Sequence, residues 1–134
     1  MVDSTKRVLS FHFTLPNRTF WATPGGGLND GENFEQAARR ELWEETGHVV
    51  QDAGPQVAAR EFPMQLPDGS YVVTDERFFL LRVHSDAVSR QGWTPSENQF
   101  ISDLRWWTLN ELSTTSETVF PQDLLDILFE AGVV

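Results

Sequence analysis

The segment this chain has least freedom to fold in any other way lies between Asn33 and Gly47. Asparagine is a good N-cap, and Gln36 three residues later completes a capping box, so the first turn of a helix is set locally. Gly47 supplies a left-handed stop. The pattern predicts a helix over about Phe34–Thr46. On it, Glu41, Glu44 and Glu45 fall at spacings of three and four and share one face, together with Phe34, Ala37 and Ala38. The stripe begins apolar, as if against a core, and ends as three carboxylates. Like charges at these spacings repel, and they occupy the last turns, where the helix dipole disfavours negative charge. Several local rules broken together with no nearby gain mark function. A divalent cation removes the conflict, because hard cations take carboxylate oxygens. The bland alternative is a solvated helix face, and the apolar half of the same stripe argues against it.

Gly25-Gly26-Gly27 stands just upstream and allows a ligand or metal to come close to the main chain. Asn29-Asp30-Gly31 reads as a turn into the helix. Earlier, Val8–Phe13 reads as a strand, Pro16-Asn17 as a turn and Thr19–Thr23 as a second strand. After the helix, Val49-Val50 and Val57–Phe62 suggest strand segments. Pro67-Asp68-Gly69-Ser70 suggests a hairpin turn between Glu61–Leu66 and Tyr71–Val83. Phe78-Phe79-Leu80-Leu81 has the continuous apolar character of a strand buried on both faces. Ser85–Asn98 is polar and reads as a long loop, of the kind that more often serves function than not. Leu104–Leu109 is expected as the last strand, and Leu124, Leu125, Ile127 and Leu128 as a closing helix after Pro121 that ends at Gly132.

A length of 134 residues fits one domain, 1–134, and ten Phe and five Trp can fill its core. Ten basic against twenty acidic side chains give a net charge of −10, which lacks the basic footprint that binding long nucleic acid requires. Small phosphorylated ligands remain compatible if a metal supplies positive charge. The absence of cysteine removes disulfides, thiol nucleophiles and zinc–thiolate sites, and no Ser–His pairing is visible in the sequence. There is neither an apolar run long enough to span a membrane nor a signal peptide, so a cytoplasmic protein is expected.

Gly26, five residues, Glu32, seven residues, then Arg40-Glu41-Leu42-Trp43-Glu44-Glu45-Thr46-Gly47 resembles the signature box of the Nudix hydrolases. The last position of the box departs: the family prefers a bulky aliphatic residue and this chain has His48. The resemblance implies an α/β fold, a three-layer α/β/α sandwich on a mixed sheet, with the box as loop–helix–loop. It implies hydrolysis of a phosphoanhydride bond in a nucleoside diphosphate linked to another group, with magnesium, or sometimes manganese. Glu41, Glu44 and Glu45 would then be metal ligands, helped by a main-chain carbonyl near Gly25. Arg40 and Glu32 would pair and hold the acids in register. Related enzymes often recruit one more carboxylate as ligand or general base. Glu97 is the first choice for it, ahead of Glu76 and Asp103.

Relatives usually begin with a strand upstream of the first one here. A smaller sheet, or an edge covered by a partner in a homodimer, is therefore expected. Chemistry supports the enzymatic reading on its own terms: water attack on a multiply anionic diphosphate needs charge neutralisation first. The runner-up is a non-catalytic nucleotide-binding module, which has no need of all three glutamates. Trp106 and Trp107 point to opposite faces of a strand, so one belongs to the core, and His12, His48 and His84 read as structural or incidental.

Overall fold

The computed structural model describes residues 1–133, and in it the capped helix, α1, spans Phe34–Thr46. Asn33 accepts from the Gln36 N–H at 2.8 Å while the Gln36 side chain accepts from the Asn33 N–H at 3.0 Å. Gly47 adopts φ 78° and closes on the Trp43 carbonyl.

β1 (Val8–Leu15) and β2 (Arg18–Ala22) form the expected antiparallel pair, with Leu15 opposite Arg18 across the turn. β3 (Gln56–Gln65) and β4 (Tyr71–Phe79) form a long hairpin, with Gly69 at φ 87° in its turn. α2 (Pro95–Phe100) leads directly into β5 (Ile101–Trp107), α3 (Leu109–Thr114) follows, and β6 (Val119–Phe120) precedes α4 (Leu124–Glu130). The main sheet has the order β5-β1-β2-β6 and is mixed, since β6 runs parallel to β2. The hairpin forms a second sheet.

β1 is the more buried of the two inner strands, and its sequence says why. Val8, Leu9, Ser10 and Phe11 are all buried because both faces of the strand are covered. Val8 packs with Val2, Leu80, Leu124 and Leu128, which places α4 on one side. Leu9 and Phe11 pack with Trp93 and Ile101, which places the segment leading into α2 on the other. The result is the layered α/β arrangement on a mixed sheet. Ahead of β1, Val2 bridges to Val8 and to Arg82. Among the described residues, no helix is long and apolar enough to cross a membrane.

Five expectations need correction. Val49-Val50 belongs to no strand, and Val49 is 82% exposed, because the chain leaves α1 at its rim and pairs only from Gln56 onward. Val57–Phe62 and Glu61–Leu66 merge into the single strand β3. Phe78-Phe79-Leu80-Leu81 is not buried on both faces: β4 ends at Phe79, and only Leu80 of the four is buried. The polar segment Ser85–Asn98 is not all loop, because Thr94 and Glu97 form a capping box over Pro95 and start α2. Finally, the strand expected over Leu104–Leu109 runs instead over Ile101–Trp107 and is not the last. Thr108 and Glu111 form another capping box and open α3 there.

Candidate active site

Glu41, Glu45 and Glu97 each bring one carboxylate oxygen within 4.8 Å of the others. α1 supplies the first two from neighbouring turns, and α2 supplies the third. Glu45 is only 2% exposed, and its Oε1 accepts from the Gly25 N–H at 2.8 Å. Burial pushes the Glu45 carboxyl up to about 8; the Gly25 N–H acts the other way, and the charges of Glu41, Glu97 and Glu44 add to the rise. Burial also raises Glu41, although the Arg40 guanidinium opposes it. A solvated face does not behave this way. Three carboxyl oxygens, hard donors around one point, fit magnesium or manganese, whose charge would favour the ionised form of Glu45.

Arg40 organises the rest of the box. Its Nε and Nη2 donate to the two oxygens of Glu32 at 2.8 and 3.0 Å, and Nη2 also reaches the Gly27 carbonyl at 2.7 Å. Nη1 donates to Glu41 at 2.8 Å and to Glu44 at 3.2 Å. One planar fork therefore ties the glycine loop to the acidic helix, which an ammonium could not do. The Arg40 guanidinium, together with the Asn29 N–H, holds Glu32 below the usual carboxylate range. Glu44 stands with Arg40, and it is not one of the three residues of the 4.8 Å group.

Gly26 has a role the sequence reading did not assign. The Glu41 carboxylate occupies the space that a Cβ at position 26 would take. Gly26→Ala must push that carboxylate aside, while the backbone needs no change. The expected result is divalent-cation affinity lowered by about tenfold with the unfolding temperature nearly unchanged, read by calorimetry and thermal melts.

The other candidates lie elsewhere. Glu76 pairs with Arg60 at 3.6 Å on the hairpin, and Asp103 is exposed on β5 opposite His12. A Ser–His contact does exist, contrary to the sequence reading: His12 Nδ1 lies 2.9 Å from Ser102 Oγ, which also meets Thr14 Oγ1 at 2.9 Å. Ninety residues separate the two, so only pairing of β1 with β5 brings them together. His48 Nε2 meets the Ala87 carbonyl at 2.8 Å, and His84 is exposed. Trp107 is buried, 1% exposed, while Trp106 is half-buried, packs against the Leu9 and Phe11 cluster on the other side and donates to the Asp86 carbonyl.

Beside Glu41 and Gly25–Gly27 opens a cleft of about 1140 Å³ between α1, the hairpin and α4. Phe34, Phe62, Phe78 and Phe120 are among its walls. Two arginines tie the hairpin across it. Arg77 lies over the Phe34 ring at 4.9 Å, and Arg60 bonds Asp123 at 2.6 Å.

A glycine loop and an acidic, arginine-braced helix on a mixed sheet define the class. The NUDIX domain model matches residues 2–126, and the chain belongs to that family. It is similar to an RNA pyrophosphohydrolase of Actinobacillus pleuropneumoniae serotype 5b (strain L20), 40% identical over 76 residues, covering 49% of this chain and 37% of that protein. It is also similar to the uncharacterized Nudix hydrolase YvcI of Bacillus subtilis (strain 168), 26% identical over 115 residues, 86% of this chain and 68% of that one. The chain thus spans well under two thirds of the first relative's length. Among solved structures it resembles a MutT/nudix family protein from Enterococcus faecalis, with a TM-score of 0.61 at 22% identity over 93% of this chain and 53% of that one. The E. coli ORF135 protein gives 0.58 at 20% identity, over 96% and 84%. At such identities the likeness is one of fold.

Proposed function

We propose that this chain is a magnesium-dependent pyrophosphohydrolase that cleaves a phosphoanhydride bond, by water attack on phosphorus, in a nucleoside diphosphate linked to another group. The observation that carries this reading is the convergence of Glu41, Glu45 and Glu97 on one point beside the glycine loop and the cleft. Glu41, Glu44 and Glu45 would hold the metal, with the main-chain carbonyl of Gly25 and with Glu97 as a further ligand or general base. Magnesium, or manganese in its place, would neutralise the diphosphate and acidify the attacking water. Arg40 and Glu32 would keep the carboxylates in register. Gly25, Gly26 and Gly27 would let the phosphates approach the backbone, and the aromatic walls of the cleft suit the nucleoside.

The relatives named as RNA pyrophosphohydrolases suggest an RNA end as substrate. A net charge of −10 weighs against a long RNA and favours a small nucleotide. A homodimer of a cytoplasmic protein belongs to the same reading. Tyr71 and Val73 of the hairpin, 69% and 71% exposed, are surface a second copy would cover, and a monomer in light scattering removes that part.

The test is product release in magnesium from nucleoside triphosphates, ADP-ribose, dinucleoside polyphosphates and a 5′-triphosphate RNA, beside Glu44→Gln. Turnover of one small substrate, lost in the variant, is expected. Binding of nucleotide without release by wild type would make the chain a binding module instead.

A further inference from the structure

The last carbonyls of a helix have no partner within it and must find one elsewhere. At the end of α1, two of them are taken by the segment Ala87–Trp93. Ser89 donates its N–H to the Thr46 carbonyl at 2.9 Å, and the Trp93 indole Nε1 donates to the Glu45 carbonyl at 2.7 Å. Gly92 lies flat on the same turn: a Cβ there would come within 2.7 Å of the Glu44 carbonyl oxygen and 3.0 Å of its Cα. Trp93 itself is 7% exposed, set edge-on to Phe11 at 5.6 Å and covered by Arg90 at 4.9 Å. Its side chain therefore has one place to be.

Glu97 follows four residues later, and its own rotamer is also fixed. One carboxylate oxygen accepts from the Thr94 N–H at 2.9 Å in the capping box of α2. With the backbone held at Trp93 and the side chain held at Thr94, the Trp93–Glu45 bond is the direct link between the carrier of Glu97 and the Glu45 backbone, while α2 itself rests on β1 and β5. The carbonyl that Trp93 grips belongs to Glu45, one of the three converging residues.

We infer that Trp93 is a positioning residue for the metal site: its indole bond to the Glu45 carbonyl fixes where Glu97 stands against Glu41 and Glu45. The inference rests on the proposed function, since it needs Glu97 to act on a bound cation. A purely packing role for Trp93 has a different signature, because it would disturb all the carboxylates alike.

A double-mutant cycle separates the two. Manganese binding is measured by calorimetry for wild type, Trp93→Phe, Glu97→Gln and the double variant, with a thermal melt for each. Trp93→Phe is expected to weaken manganese about tenfold in the wild-type background and by no more than about twofold once Glu97 is already gone. An unchanged affinity in Trp93→Phe, or equal weakening in both backgrounds, would overturn the inference. Should Trp93→Phe not fold, Gly92→Ala takes its place, since it lifts the same segment off Glu44, with the same two readings. Failure of wild type to bind manganese would sink the proposed function and this inference together. Binding by wild type with no coupling would sink this inference alone.

Discussion

Glu45→Gln is expected to stabilise the metal-free protein at pH 8 while lowering magnesium-dependent hydrolysis by about 10²–10³-fold, the usual cost of losing one preorganised group at the reacting centre. The two effects have one cause. The Glu45 carboxyl is raised to about 8 from an ordinary 4.5, so between those values the folded protein holds a proton that the unfolded chain has released. Stability associated with that proton is complete below pH 4.5 and is lost as the pH rises to 8. Above that, the folded state must carry a buried charge beside Glu41 and Glu97. Glutamine removes the charge and can still accept from the Gly25 N–H. A gain on the order of 1–3 kcal/mol is expected at pH 8, shrinking towards pH 5. Magnesium should then raise the melting temperature of wild type and leave that of the variant nearly unchanged. A variant less stable than wild type at pH 8 without metal would contradict this account of the site.

Arg40→Ala should be the most damaging single change to the fold of the box. It strips partners from Glu32, Glu41 and Glu44 and from the Gly27 carbonyl at once. Removing one partner from a buried ion pair costs more than the pair itself contributes, because charges are left uncompensated. Here the Arg40 side chain is 22% exposed, so water screens part of that cost. A loss of roughly 2–3 kcal/mol in chemical denaturation is expected after that discount. Lysine should restore little, because a point charge cannot span Glu32 and Glu41 together. Magnesium should recover part of the loss by neutralising the same carboxylates. Equal losses with and without magnesium would mean that Arg40 acts only as a local brace.

What the sequence disclosed and what it hid divide by range of interaction. The caps of α1 depend on residues three or four positions apart, so they were legible in full; of the three carboxylates between them, Glu41 and Glu45 meet while Glu44 stands with Arg40. α2 and α3 carried equally local signals, Thr94 with Glu97 and Thr108 with Glu111, but each is only six residues long, too short for an apolar stripe to show a helical period. The strand-like Phe78–Leu81 run has the composition of a doubly buried strand; its true setting, along the cleft, is decided by the hairpin's separation from the main sheet. Glu97 could be nominated by chemistry, while its place beside Glu45 depends on Trp93, which meets α1 across 48 residues of chain. Gly26 belonged to a legible motif, yet the carboxylate filling its missing Cβ could be seen only in three dimensions. The His12–Ser102 contact was invisible for the same reason.

The most direct test of the central claim is calorimetric titration of magnesium at pH 7 in two buffers of different ionisation enthalpy, with wild type and Glu45→Gln. The predicted result is saturable binding by wild type that releases a proton, because Glu45 must ionise to take the cation, and weaker binding without that proton in the variant. No uptake by wild type, with or without a nucleotide present, would contradict the account.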